Sequence, residues 1–193
     1  MAGVFLLVFC EPVFPQVKLE TTVTSQYYCR ADIDLDGLTL NLKAKYTNTG
    51  SQSVILTRDG HGIRQMIVNK NDRGAIGVRE MNATFTLIPS SEWTARPSDL
   101  KRLFAILKPG ESYTAKLVTR VFVFRKDRAD IAGAVGNGAH LLQLRVSTWP
   151  GSTETEDQLE AAWKHLGDLW TNSVLSEPMA FNVVPQRRLV KCR

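Results

Sequence analysis

From Leu38 to Tyr46 the chain alternates in character. Leu38, Leu40, Leu42, Ala44 and Tyr46 are apolar, and Thr39, Asn41, Lys43 and Lys45 between them are polar. A period of two places one set on each face of a strand, the pattern of a half-buried β-strand. The same grammar recurs along the chain. It predicts strands over 22–33, 38–46, 54–57, 63–68, 79–88, 113–123, 140–146 and 177–184. The inward faces predict a core containing Leu40, Leu42, Leu117, Val121, Leu142, Leu144 and Phe181. Turn residues punctuate the strands. Asp36-Gly37 reads as the first hairpin turn, Asn48-Thr49-Gly50 closes the second strand, and Pro109-Gly110 launches the long strand from Tyr113.

Two segments change period. Leu100, Leu103, Phe104 and Leu107 follow Ser98 and Asp99, which predicts a short capped helix. Leu159, Trp163, Leu166, Leu169 and Trp170 recur at helical spacing, and Thr153 with Glu156 fits a capping box. That predicts a helix over about 155–170, inserted before the last strand. No internal repeat or linker divides the chain, so residues 22–193 read as a single domain.

Composition bounds the remaining choices. At 193 residues, 44% hydrophobic and 22% charged, the chain has enough apolar material for a sizeable core and is not of a disordered type. The formal charge of +5 comes from 24 Lys and Arg against 19 Asp and Glu. These basic residues are scattered along the sequence, apart from 120–128 and the tail, which argues against nucleic acid as a partner. Residues 1–21 read as an apolar leader. The run from Ala2 to Cys10 resembles the core of a signal peptide and is too short to span a bilayer. The expectation is export, to the outside or to a periplasm or cell envelope. The competing reading is an apolar first strand.

Candidate chemistry is sparse. Asp59-Gly60-His61-Gly62 sets a histidine between glycines with a carboxylate to orient it, the outline of a hydrolytic site using His61 and Asp59. The competing reading is an Asp-Gly turn, and no nucleophile is evident. His140 falls at the edge of an apolar face, and His165 near a helix C-terminus, where its charge is favoured. Gly133, Gly136 and Gly138 lack the Lys-Ser/Thr and the following helix of a phosphate loop. There is no Cys or His spacing suited to a metal, and no cofactor motif. Trp149, Trp163 and Trp170 exceed what a sandwich needs. They read either as an exposed anchor for a partner or as a lid over one end of the core.

Three segments, LTLNLKAKYTNTG (38–50), LKPGESYTAKL (107–117) and GAHLLQLRVSTW (138–149), resemble the immunoglobulin-like β-sandwich superfamily of the extracytoplasmic bacterial kind. Asn-Thr-Gly after the second strand and Pro-Gly-Glu before a middle one are also similar to BsuPI-type proteinase inhibitor modules. The resemblance implies a mainly β fold: an immunoglobulin-like antiparallel β-sandwich with a helical insertion before the last strand. It implies a non-enzymatic domain that binds a protein or cell-surface macromolecule in adhesion, envelope assembly or inhibition; no inhibitory loop is identifiable. In such sandwiches the first and last strands often lie side by side. Cys29 and Cys192 at the two ends are then a candidate disulfide, with two free thiols as the alternative.

Overall fold

The computed structural model describes residues 16–58, 62–69, 75–81, 97–124, 134–149, 153–184, 186 and 188–192. In chain order these form β1 (Val17–Asp32), β2 (Leu35–Asn48), β3 (Val54–Thr57), β4 (Gly62–Asn69), β5 (Ala75–Met81), α1 (Pro97–Leu103), β6 (Phe104–Leu107), β7 (Ser112–Phe124), β8 (Ala134–Val135), β9 (Gly138–Ser147), α2 (Thr153–Trp163), β10 (Asp168–Leu169), β11 (Ser173–Leu175) and β12 (Met179–Val183). The architecture is mainly β with two short helices. One sheet has the order β1-β2-β7-β8, a second β10-β3-β6, and a third β11-β9-β4-β5, with β12 also pairing β9.

The predicted inward faces are inward. Leu38, Leu40, Leu42, Ala44 and Tyr46 of β2 join Leu117 and Val121 of β7, Leu142, Leu144 and Val146 of β9, and Phe181 of β12 in one hydrophobic cluster. Register fixes the layers: Leu42 lies opposite Leu117, and Leu38 opposite Val121. Burying such side chains contributes roughly 1.5–3 kcal/mol each, and a one-residue slip would expose the whole set. A second cluster, under α2, gathers Ile55, Phe104, Leu159, Trp163 and Leu169.

Four sequence expectations change. First, the β1–β2 turn is at Ile33-Asp34, and Asp36-Gly37 lies inside β2. Asp36 is buried and ion-paired with Arg30 at 3.0 Å. Gly37 is closely approached: a Cβ there would lie 3.1 Å from the Cys192 Sγ and 3.2 Å from the Cys29 Sγ. Second, β1 begins at Val17, earlier than the expected Thr22, and Val17 and Leu19 are buried. The earlier part of the leader lies outside the described residues. Third, α1 ends at Leu103, and Phe104 and Leu107 belong to β6 rather than to the helix. Fourth, α2 ends at Trp163. Leu169 enters β10, which pairs in parallel with β3, and three short strands follow the helix rather than one. The expected strand beyond Met81, over 82–88, lies outside the described residues.

The C-terminal segment closes the outer edge of β1. Leu19 bridges Ser176, the Gln26 side chain donates to the Asn182 carbonyl at 3.2 Å, and the Val184 amide donates to the Tyr28 hydroxyl at 3.0 Å. Further along, the Arg30 amide donates to the Val190 carbonyl at 2.7 Å and the Cys192 amide to the Arg30 carbonyl at 2.9 Å. The Cys29–Cys192 disulfide locks this end, with Cα atoms 4.9 Å apart and 163 positions between them in sequence. An exposed strand edge invites association, and a covered one does not.

Candidate functional site

The three tryptophans do not form an exposed anchor. Trp163 is only 5% exposed and meets Phe104 edge to face, with ring centroids 5.1 Å apart. Trp149 is half-buried beside the same cluster, while half-buried Trp170 packs against the main core. Among the described residues the buried indole N–H groups of Trp149 and Trp170 have no hydrogen-bond partner. The helical stripe that suggested an anchor is spent on covering the end of the sheets, as amphipathic helices ordinarily do.

Asp59, Gly60 and His61 lie outside the described residues. His140 is buried, its Nε2 2.9 Å from the Gly136 carbonyl oxygen and its ring 5.4 Å from that of Phe181. His165 is exposed just beyond α2. Among the described residues no group of three or more His, Cys, Asp or Glu side chains is placed to hold a metal ion.

Geometry instead points to β6. Among the described residues β6 is the terminal strand of its sheet, paired only with β3. Against it lies a groove of about 390 Å³, lined by Arg58, by β6 from Ala105 to Leu107, and by Glu111, Ser112 and Tyr113. The Arg58 guanidinium stands 5.3 Å from the centre of the Tyr113 ring, within cation–π range, and its Nε donates to the Phe104 carbonyl at 2.8 Å. The Tyr113 hydroxyl donates back to the Arg58 carbonyl at 3.2 Å. A cation, an aromatic face and a strand edge therefore line one groove.

The groove is held by Asn48. This side chain is fully buried at the end of β2. Its amide group donates to the carbonyls of Gln52 at 2.7 Å and Leu107 at 2.9 Å, and its Oδ1 accepts from the Gly50 amide at 2.9 Å. Its backbone binds the turn before β7: the Asn48 amide donates to the Glu111 carbonyl at 3.0 Å, and the Gly110 amide to the Asn48 carbonyl at 2.9 Å. Asn-Thr-Gly and Pro-Gly-Glu, 61 positions apart, are thus two sides of one junction that fixes β6 relative to β7. Sequence reasoning found both as turns and missed their meeting, because a buried asparagine reads locally like any turn asparagine.

No protein-family model and no curated protein matches the chain. One solved structure, described as the X-ray structure of Northeast Structural Genomics Consortium target SoR45, is similar over 92% of this chain and 92% of its own. The identity is 9% and the TM-score 0.36, a level that carries no argument about fold or function. Among the described residues no helix is long and apolar enough to cross a membrane.

Proposed function

We propose that this chain is an exported, immunoglobulin-like β-sandwich that acts by binding another macromolecule rather than by catalysis. The observation that carries the reading is the groove along β6, the terminal strand of its sheet among the described residues, with Arg58 over Tyr113 beside it. An extended segment of a protein partner adds to such an edge through main-chain hydrogen bonds, while flanking side chains give specificity. Export is supported by the apolar leader and by the Cys29–Cys192 bridge, since disulfides persist in oxidising compartments. The sandwich reading is supported by one core shared between the β1-β2-β7-β8 sheet and the sheet containing β9 and β12.

The test is site-specific photo-crosslinking in cells that export the full chain. A photoreactive residue at Ile106 is expected to give one discrete protein adduct. The same residue at Glu160, exposed on α2, should give none. Arg58→Glu should abolish the adduct, and a melting temperature close to the parent's would assign that loss to binding. Adducts of equal strength from both positions, or none from Ile106, would defeat the reading.

A further inference from the structure

The outer face of the β1-β2-β7 sheet gathers lysines that are far apart in sequence. Since Leu40, Leu42 and Ala44 point into the core, Asn41, Lys43 and Lys45 point away from it. Strand pairing then sets Lys43 directly opposite Lys116 of β7, Lys45 opposite Glu20 of β1, and Thr47 opposite Lys18. Glu20 is shared by Lys18 at 3.1 Å and Lys45 at 3.5 Å. Lys43 and Lys116 are exposed and pair with no carboxylate among the described residues. Four lysines against one glutamate leave a local excess of three positive charges, on a chain whose formal net charge is +5.

Two further features point to what this face meets. Like charges directly opposite on neighbouring strands are destabilising, so the Lys43–Lys116 pair is a standing cost that a bound anion relieves. The same face also exposes two large apolar side chains in register with the lysines. Val118, 58% exposed, lies opposite Asn41, and Tyr27, 51% exposed, lies opposite Thr39. The charges span three adjacent strands, so they form a plane rather than a stripe. A stripe tracks a polymer; a plane fits a plane. Lysine ammonium groups around a tyrosine and a valine match the headgroup layer of a membrane, where cations meet phosphates and amphipathic rings settle at the interface.

We propose that this face, built on Lys18, Lys43, Lys45 and Lys116 with Tyr27 and Val118, docks the domain on an anionic phospholipid surface. None of these six residues lines the β6 groove, and the proposal does not depend on a partner there. The experiment is co-sedimentation of the full chain with vesicles of phosphatidylglycerol and phosphatidylcholine, against vesicles of phosphatidylcholine alone. Binding is expected only to the anionic vesicles, falling at least tenfold when salt is raised to a level where the screening length is about 3 Å. Lys43→Gln with Lys116→Gln should weaken binding at least tenfold. The melting temperature should stay level or rise, because the variant removes a like-charge pair. Lys164→Gln, exposed just beyond α2 and not on this sheet, should change nothing, and Tyr27→Ser should weaken the binding that survives in high salt. Equal binding to both vesicle types, or none to either, would overturn the proposal. So would equal affinity for a DNA duplex at the same salt, which would make the face a general polyanion binder.

Discussion

The Ser53 carbonyl accepts a hydrogen bond from the Asp168 amide at 2.8 Å, and this contact sets the start of β10 beside β3. The close approach requires Gly167 next to Asp168. Gly167 has φ +153°, and a Cβ there would lie 2.6 Å from the Ser53 carbonyl oxygen. Gly167→Ala should therefore destabilise the protein by about 2 kcal/mol or more, the strain of an L-residue in that conformation added to the displaced backbone. Urea unfolding measures it. A variant as stable as the parent would show that β10 and β3 do not approach as described.

Asn48 tests the junction beneath the groove. Asn48→Ala should cost about 3 kcal/mol, because it removes three hydrogen bonds and leaves buried carbonyls of the chain without them. Asn48→Asp should cost at least as much: a carboxylate accepts from Gly50 but cannot donate to Gln52 or Leu107. Equal stability of the aspartate variant and the parent, in chemical denaturation at neutral pH, would remove Asn48 from this role.

The disulfide should be worth roughly 4–5 kcal/mol in the chain-entropy picture, given the length of chain it closes. Replacing both Cys29 and Cys192 by serine should lower stability by about that amount and free the basic tail for proteolysis. Thiol titration of the unreduced, unfolded protein should find no reactive thiol other than Cys10. Two additional thiols would exclude the bridge.

Asp36 should titrate unusually. Burial pushes its carboxyl above the ordinary range, and the Arg30 guanidinium opposes this only in part. A carboxyl whose folded pKa is raised favours the fold when protonated. Its penalty is full above the folded pKa and fades as pH falls through it toward the unfolded value. Arg30→Gln removes the opposing charge and should raise the pKa further, steepening that dependence. The carboxyl carbon-13 shift of Asp36 against pH reports both effects; a midpoint at or below an ordinary aspartate would contradict them.

Trp163 separates the two meanings given to the tryptophans. Trp163→Ala should cost about 3–5 kcal/mol, as expected of a buried ring packed on Phe104. A variant that melts with the parent yet loses a partner would restore the anchor.

The alternation of Leu38 to Tyr46, of Tyr113 to Val123 and of His140 to Val146 made the strands and their buried faces legible, because a strand's side chains obey its own period wherever it lies. What failed was local chemistry with a distant cause. Asp36-Gly37 looked like a turn, yet Gly37 lies inside β2 with both disulfide sulfurs close against it. Leu166, Leu169 and Trp170 continued a helical stripe, yet the helix ends at Trp163 and Leu169 pairs with Ile55 of β3. Lysines that looked scattered were gathered by register onto one face, and two turns 61 positions apart met through one asparagine. The sequence by itself determined the long strands β2, β7 and β9 and which side of each is apolar, since both follow from neighbours along the chain. Only the tertiary structure decided where the helix stops, how Cys29 reaches Cys192, and which residues of separate strands share a face, since each depends on contacts between segments that the chain brings together only on folding.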